Sequence, residues 1–199
     1  AKYYSSGGNV VFDAGSTPTV GTAGEAIPRV IVDQSISLDE DTGTSEFLDA
    51  DADIALGSND FEFSGKAELA ANVTGSGTFR SLGTTLTVED PNSGSALPIT
   101  NVARTVSNFE VDSGVASGND TTRVESDASD PFEGHLAVTN QFTQTSGVLE
   151  YATSLNLIGA SSDDNLVYTG GEFLAEGAYI ILNDIGGSPG SAPTVDIID

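Results

Sequence analysis

Side chains able to do hydrolytic chemistry are few in this sequence, so each can be weighed singly. His135 is the sole histidine, and a Ser–His–Asp relay would have to run through it. It sits in Glu133-Gly134-His135-Leu136, between a turn and a strand, with no serine in a convincing setting beside it. It reads as a lone surface histidine. Gly186-Gly187-Ser188-Pro189-Gly190 spells G-x-S-x-G. A nucleophile elbow needs a strand before the serine and a helix after it. The Pro-Gly-Ser-Ala-Pro that follows Ser188 cannot start a regular helix, so the segment reads as a linker.

The carboxylates are more numerous and less specific. Asp49-Ala50-Asp51-Ala52-Asp53 resembles the opening of a calcium loop, but such a loop then needs Gly at its sixth position and Glu at its twelfth. Ile54 and Asp60 stand there. In an extended strand the three carboxylates share one face at a spacing of ~6–7 Å, too far apart for a single ion without outside ligands. Whether Asp49, Asp51 and Asp53 bind cations stays open. Asp39, Glu40 and Asp41, and Asp163 with Asp164, read as solvated turns first and weak cation sites second. A carboxylate pair for glycoside hydrolysis is uninformative where acids are everywhere. There is also no Trp to stack on a sugar. Tyr3, Tyr4, Tyr151, Tyr168 and Tyr179 lie in strand-like settings. Asn72-Val73-Thr74 and Asn119-Asp120-Thr121 are glycosylation sequons of chance-level weight. No catalytic, cofactor-binding or metal residue is assigned, and the chain is not expected to be an enzyme.

The elements that would position these groups are strands. Asn9 to Asp13 is short and apolar. Arg29 to Leu38 is a buried run followed by alternation. Glu46 to Leu56 alternates cleanly, with Ala50, Ala52, Ile54 and Leu56 opposite the three aspartates. Asp60 to Val73 carries Phe61, Phe63, Ala67 and Leu69 around Gly65, a candidate bulge. Thr78 to Glu89 places Leu86 and Val88 inward. Ile99 to Val111 has Val106, Phe109 and Val111 at spacings that predict a bulge. Further strands are read at Thr121 to Glu125, Gly134 to Thr143, Gly147 to Leu157, Leu166 to Tyr168 and Glu172 to Asn183. Ala67 to Val73 is the best helix candidate and still reads as a strand. Turn signals every ~8–12 residues predict an all-β, single-domain β-sandwich or jelly-roll barrel of about eight to ten short antiparallel strands. The expected limits are an N-terminal arm at 1–8, the domain at 9–185, and a linker and arm at 186–199. No internal repeat and no second domain is read.

The whole composition adds one strong constraint. The 199 residues hold 30 Asp and Glu against 6 Lys and Arg, a formal charge of −24. The acids are scattered among Val, Ile, Leu and Phe rather than blocked, which argues for a folded chain. A folded body of that charge repels itself in dilute buffer. Molar salt shortens the Debye length to about 3 Å and removes most of the repulsion. Only Lys2 and Lys66 are lysines. This is the composition of a protein made for very high salt; an acidic mesophilic protein that binds calcium or a basic partner is the other reading. There is no Cys and no Met, so no disulfide is expected. The start at Ala1 fits a removed initiator Met or a cleaved precursor, with no signal peptide in view. The longest apolar run, Ala178 to Leu182, is too short to span a bilayer. Six cations spread from Lys2 to Arg123 make no phosphate-binding stripe, so direct nucleic-acid binding is not expected.

In size, acidic composition, short strands such as Arg29 to Leu38 and Glu172 to Asn183, and the plain AKYYSSGG start, the chain resembles the small single-jelly-roll major capsid proteins of tailless, internal-membrane icosahedral viruses of haloarchaea. The resemblance covers the chain in outline and transfers no site residue. It implies a virion protein assembled in the salty cytoplasm of its host. Its partners would be copies of itself and a related capsid protein, in capsomers near an internal viral membrane. The arms, with Gly7-Gly8 and Gly186 to Pro193 at their bases, would add to neighbouring sheets. Two other classes remain: a β-sandwich binding module of a cell surface or virion decoration, and a secreted hydrolase domain built on a perturbed carboxylate pair.

Overall fold

A computed structural model describes residues 8–13, 19–20, 26–89, 104–113, 121–126, 136–152, 155–158, 166–175 and 180–183. The described residues hold nineteen strands and no helix. In chain order they begin with β1 (Asn9–Phe12), β2 (Thr19–Val20), β3 (Ala26–Val32), β4 (Ile36–Leu38), β5 (Thr42–Ala50) and β6 (Ile54–Gly57). Next come β7 (Phe61–Phe63), β8 (Lys66–Leu69), β9 (Val73–Gly75), β10 (Phe79–Ser81), β11 (Thr85–Val88) and β12 (Arg104–Asp112). The last are β13 (Thr121–Ser126), β14 (Leu136–Ser146), β15 (Val148–Tyr151), β16 (Leu155–Ile158), β17 (Leu166–Tyr168), β18 (Glu172–Ala175) and β19 (Ile180–Asn183).

Each strand pairs in parallel with the strand one coil later, so the chain winds as a β-solenoid with three faces. The first face stacks β1, β3, the end of β5, β8, β11, β13, β15 and β18. The second stacks β2, β4, β6, β9, the starts of β12 and β14, β16 and β19. The third stacks the start of β5, β7, β10, the ends of β12 and β14, and β17. The coil is short where it is clean: Val30 lies beside Leu48, Leu48 beside Ala67, and Ala67 beside Leu86, steps of 18, 19 and 19 residues. Leu86 then meets Val124, 38 residues on, and Val124 meets Tyr151, 27 on, because longer connections enter between the faces.

The expected antiparallel jelly roll of eight to ten strands is therefore overturned: the described residues hold nineteen strands joined in parallel as a solenoid. The absence of an internal repeat is corrected with it. Parallel sheets covered on both sides read as continuous apolar runs, but a solenoid face has one side on the lumen and one on solvent. Its strands alternate like antiparallel ones, and the pattern alone does not reveal direction. The predicted strands lie where the chain has strands, yet the long ones break at corners. Arg29 to Leu38 becomes β3 and β4, Glu46 to Leu56 becomes the end of β5 and β6, and Gly147 to Leu157 becomes β15 and β16. The bulge expected in Ile99 to Val111 is present as a register shift between Val106 and Asn108, where β12 bends from the second face to the third.

The core is the lumen. On the first face Val10, Val30, Leu48, Ala67, Leu86, Val124 and Tyr151 stack coil upon coil. On the second, Ile36, Ile54, Val73, Val106 and Val138 do the same. The third carries an aromatic column of Phe61, Phe79, Phe109 and Phe142, with ring centroids 5.9, 6.3 and 6.0 Å apart. Burying each ring stabilises the fold by ~1.5–3 kcal/mol, and offset aromatic neighbours add ~0.5–1.5 kcal/mol per pair. Leu86 and Val88 point inward as expected.

Backbone pairing continues around the corners. The Ala52 N–H donates to Val32 O, Ala70 N–H to Ala50 O, and Leu82 N–H to Phe63 O. Gly65 is a corner residue rather than a bulge. A Cβ there would overlap the Glu46 carbonyl of the coil below, so the approach of successive coils requires glycine. The arm expected at 1–8 has only Gly8 among the described residues; the linker and arm expected at 186–199 lie outside them.

Candidate binding faces and the exterior charge

The outward rows of the solenoid carry the charged chemistry. On the third face Glu62, Arg80 and Glu110 stand in register on three successive coils. The Arg80 guanidinium pairs with Glu62, donates from Nε to Glu110 Oε2 at 2.8 Å, and lies 3.6 Å from Asp60. Burial opposes its charge, but the hydrogen bonds and charges of Glu110 and Glu62 hold its pKa above the ordinary value. On the first face Lys66 meets Glu68 at 2.7 Å. There Arg123 pairs with Glu150 one coil away and with Glu125 at 2.9 Å. Arg29 lies 5.2 Å from the ring centre of Phe47, its register partner on the next coil. Each of these four cations is thus matched to a π-face or a carboxylate on the same or the neighbouring coil.

Corner side chains form a second kind of ladder, from side chain to the backbone one coil on. Asp41 Oδ1 accepts the Asp60 N–H at 2.9 Å, and Asp60 Oδ1 accepts the Thr78 N–H at 2.8 Å. Asp53 Oδ1 accepts the Asn72 N–H, and Asn72 Oδ1 in turn accepts from the Thr105 N–H and hydroxyl. At the turn into the third face, the Asn59 amide donates to Leu38 O. The buried Asn108 amide donates to Ser76 O and Gly77 O, and Asn140 donates to Asn108 Oδ1. These bonds satisfy corner groups that no strand partner reaches.

The acidic candidates from the sequence fall into this scheme. Asp49 is outward on β5, whereas Asp51 and Asp53 occupy the corner that follows it, so the three do not share a strand face. The Asp49 carboxyl is raised above its ordinary value by burial, then by Asp51, Glu68 and Asp33. Among the described residues no group of three or more such side chains is placed to hold a metal ion. Asp41 and Asp53 are backbone acceptors, and Asn72 of the first sequon is engaged through its side-chain oxygen. Tyr151 is inside the core, where burial raises its phenol, and Tyr168 is exposed and donates to Gly171 O. His135, Ser188 and its glycines, Asp163, Asp164, Asn119, Tyr3, Tyr4 and Tyr179 lie outside the described residues.

An open groove of about 300 Å³ on the third face is lined by residues including Asp41, Gly43, Asp60, Glu62 and Arg80. Its carboxylates are the ones that serve the ladders, and Gly43 stands where a Cβ would overlap the Glu62 carbonyl of the next coil. Asp41 and Asp53 were weighed from sequence as cation candidates; the residues of the Glu62–Arg80–Glu110 row were not. Their only signal is position within a coil, which is visible once the chain is aligned on its own period. Comparison of the chain with protein-family models, with curated proteins and with solved structures gives no match.

Proposed function

We propose that this chain is a structural, non-catalytic module displayed on the outside of a virion or cell in molar salt, where it acts as a stiff spacer that carries connections at its corners. The observation that supports this reading is the continuity of the ladders. Aliphatic stacks, the phenylalanine column, ion pairs and corner bonds all run along the solenoid axis. A solenoid is held by contacts between neighbouring repeats, and eight rungs on the first face give a body of roughly 34 Å at ~4.8 Å per rung. The acidic exterior supports placement in high salt, because net charge far from zero keeps such a body soluble there. Shell-building by upright jelly-roll barrels rested on a barrel that the fold does not contain, so a decoration or surface role is the better reading of the same high-salt, structural character.

The test is electron microscopy and small-angle scattering of the purified chain in molar salt, joined to a hydrolysis screen on polysaccharides. Discrete short rods without activity agree with the proposal. Closed shells formed by the chain alone would return it to capsid building. Hydrolysis that disappears in Glu62→Gln would make the third-face groove an active site and overturn the structural reading.

A further inference from the structure

The described cations are unevenly placed. Arg29, Lys66 and Arg123 lie in one outward row of the first face, on alternate coils, interleaved with Phe47 and Thr85. Two residues further along each strand runs a parallel row of Ile31, Asp49, Glu68, Thr87 and Glu125. Lys66 and Glu68 therefore stand side by side on one rung, and Arg123 and Glu125 on another. Val11 and Leu174, two of the exposed large apolar residues, lie on strands of this same face. Glu150 continues the cation row beside Arg123, so on a body of net charge −24 this face sets cations and acids in neighbouring rows, a pattern complementary to itself under a two-fold.

We propose that the first face is the contact surface for a second copy of this chain, in a parallel two-fold dimer whose axis runs along the solenoid. That symmetry reverses the strand direction and keeps the height, so each row faces the other row of the partner copy. Lys66 of one copy then opposes Glu68 of the other, and Arg123 opposes Glu125, each pair made twice. An antiparallel two-fold would instead set cation row on cation row. The face measures ~34 Å by ~13 Å from rung and residue spacings, roughly 450 Å² per copy, about half of what a stable complex buries. The dimer is weak and reversible. Salt strengthens it, because molar ions screen the long-range repulsion between two acidic bodies more than charges in contact. The pairing does not depend on where the module is displayed.

Analytical ultracentrifugation in molar salt at ~0.1–1 mM protein tests it, with circular dichroism to verify folding. The wild-type chain is expected to dimerise, and the K66E/R123E and E68K/E125R proteins are each expected to be monomers. Mixing the two variants restores the dimer, since every opposing pair is again of opposite sign. These exchanges touch half-exposed ion pairs, which add little to folding. A wild-type chain that stays monomeric at ~1 mM overturns the proposal. So does dimerisation of either variant alone at wild-type strength, or folded variants that fail to pair when mixed.

Discussion

At the scale of single residues, the exterior divides into acids with a partner and acids without relief. Asp60 serves both Arg80 and the Thr78 N–H, whereas Asp49 is partly buried among Asp51, Glu68 and Asp33. A carboxyl whose value is raised in the folded state binds its proton more tightly there than in the unfolded chain. Ionised Asp49 therefore detracts from stability above that raised value, and the penalty fades as pH falls through it. Asp49→Asn is expected to raise the melting temperature at pH 7 in moderate salt. The gain should vanish below the ordinary carboxylate value of 3.8, where both forms are neutral. Melting curves of the two proteins at pH 7 and pH 3 check this, and an equal gain at both values contradicts it. Asn108 poses the opposite case. Its amide satisfies two corner carbonyls and accepts from Asn140. Asn108→Ala should cost about 2–3 kcal/mol by leaving buried carbonyls unpaired, measured by denaturant unfolding in molar salt.

At the scale of the element, the unit of this fold is a coil of about nineteen residues, short enough to need its neighbours. Leu48 and Ala67 hold equivalent places on successive rungs. Removing residues 49–67 joins Leu48 to Glu68 with inward and outward positions unchanged. The shortened chain is expected to keep a cooperative, strand-rich fold and lose one rung of length. Removing an odd half-coil, residues 49–57, instead throws every later inward residue out of register. Scattering and thermal unfolding of the two deletions distinguish the outcomes. A nineteen-residue deletion that is as disordered as the nine-residue one would count against an interchangeable coil.

Strand positions were readable at this scale because inward Val, Leu, Ile and Phe alternate with polar residues. The corners were harder. Asp33-Gln34-Ser35 and Asp51-Ala52-Asp53 carry no Gly or Pro, so nothing local marks the bend between β3 and β4 or between β5 and β6. Tertiary wrapping bends the chain there, and side chains one coil away satisfy the exposed N–H groups.

At the scale of the whole molecule, a net charge of −24 on 199 residues outweighs every local arrangement of charge. The ion-pair rows offset only part of it, since the described cations are few and none of the described acids is buried. Lowering salt from molar to tens of millimolar lengthens the Debye length several-fold and returns the repulsion. The chain is expected to lose its strand signal on that dilution and regain it when salt is restored, as followed by circular dichroism. Full retention at low salt would count against a high-salt origin.

Composition and alternation by themselves determined that the chain is all-β, acidic, free of disulfides and inward-facing at Leu86 and Val88, because burial and charge are properties of residue types in order. Direction and partner of each strand were decided only in the tertiary structure. A strand with one wet side shows the same period whether its neighbour runs with it or against it. The repeat that would have separated the cases is clean only from Val30 to Leu86, before longer connections stretch it. The charged rows share that dependence. Glu62, Arg80 and Glu110 are distant in sequence and become one column only when three coils are stacked.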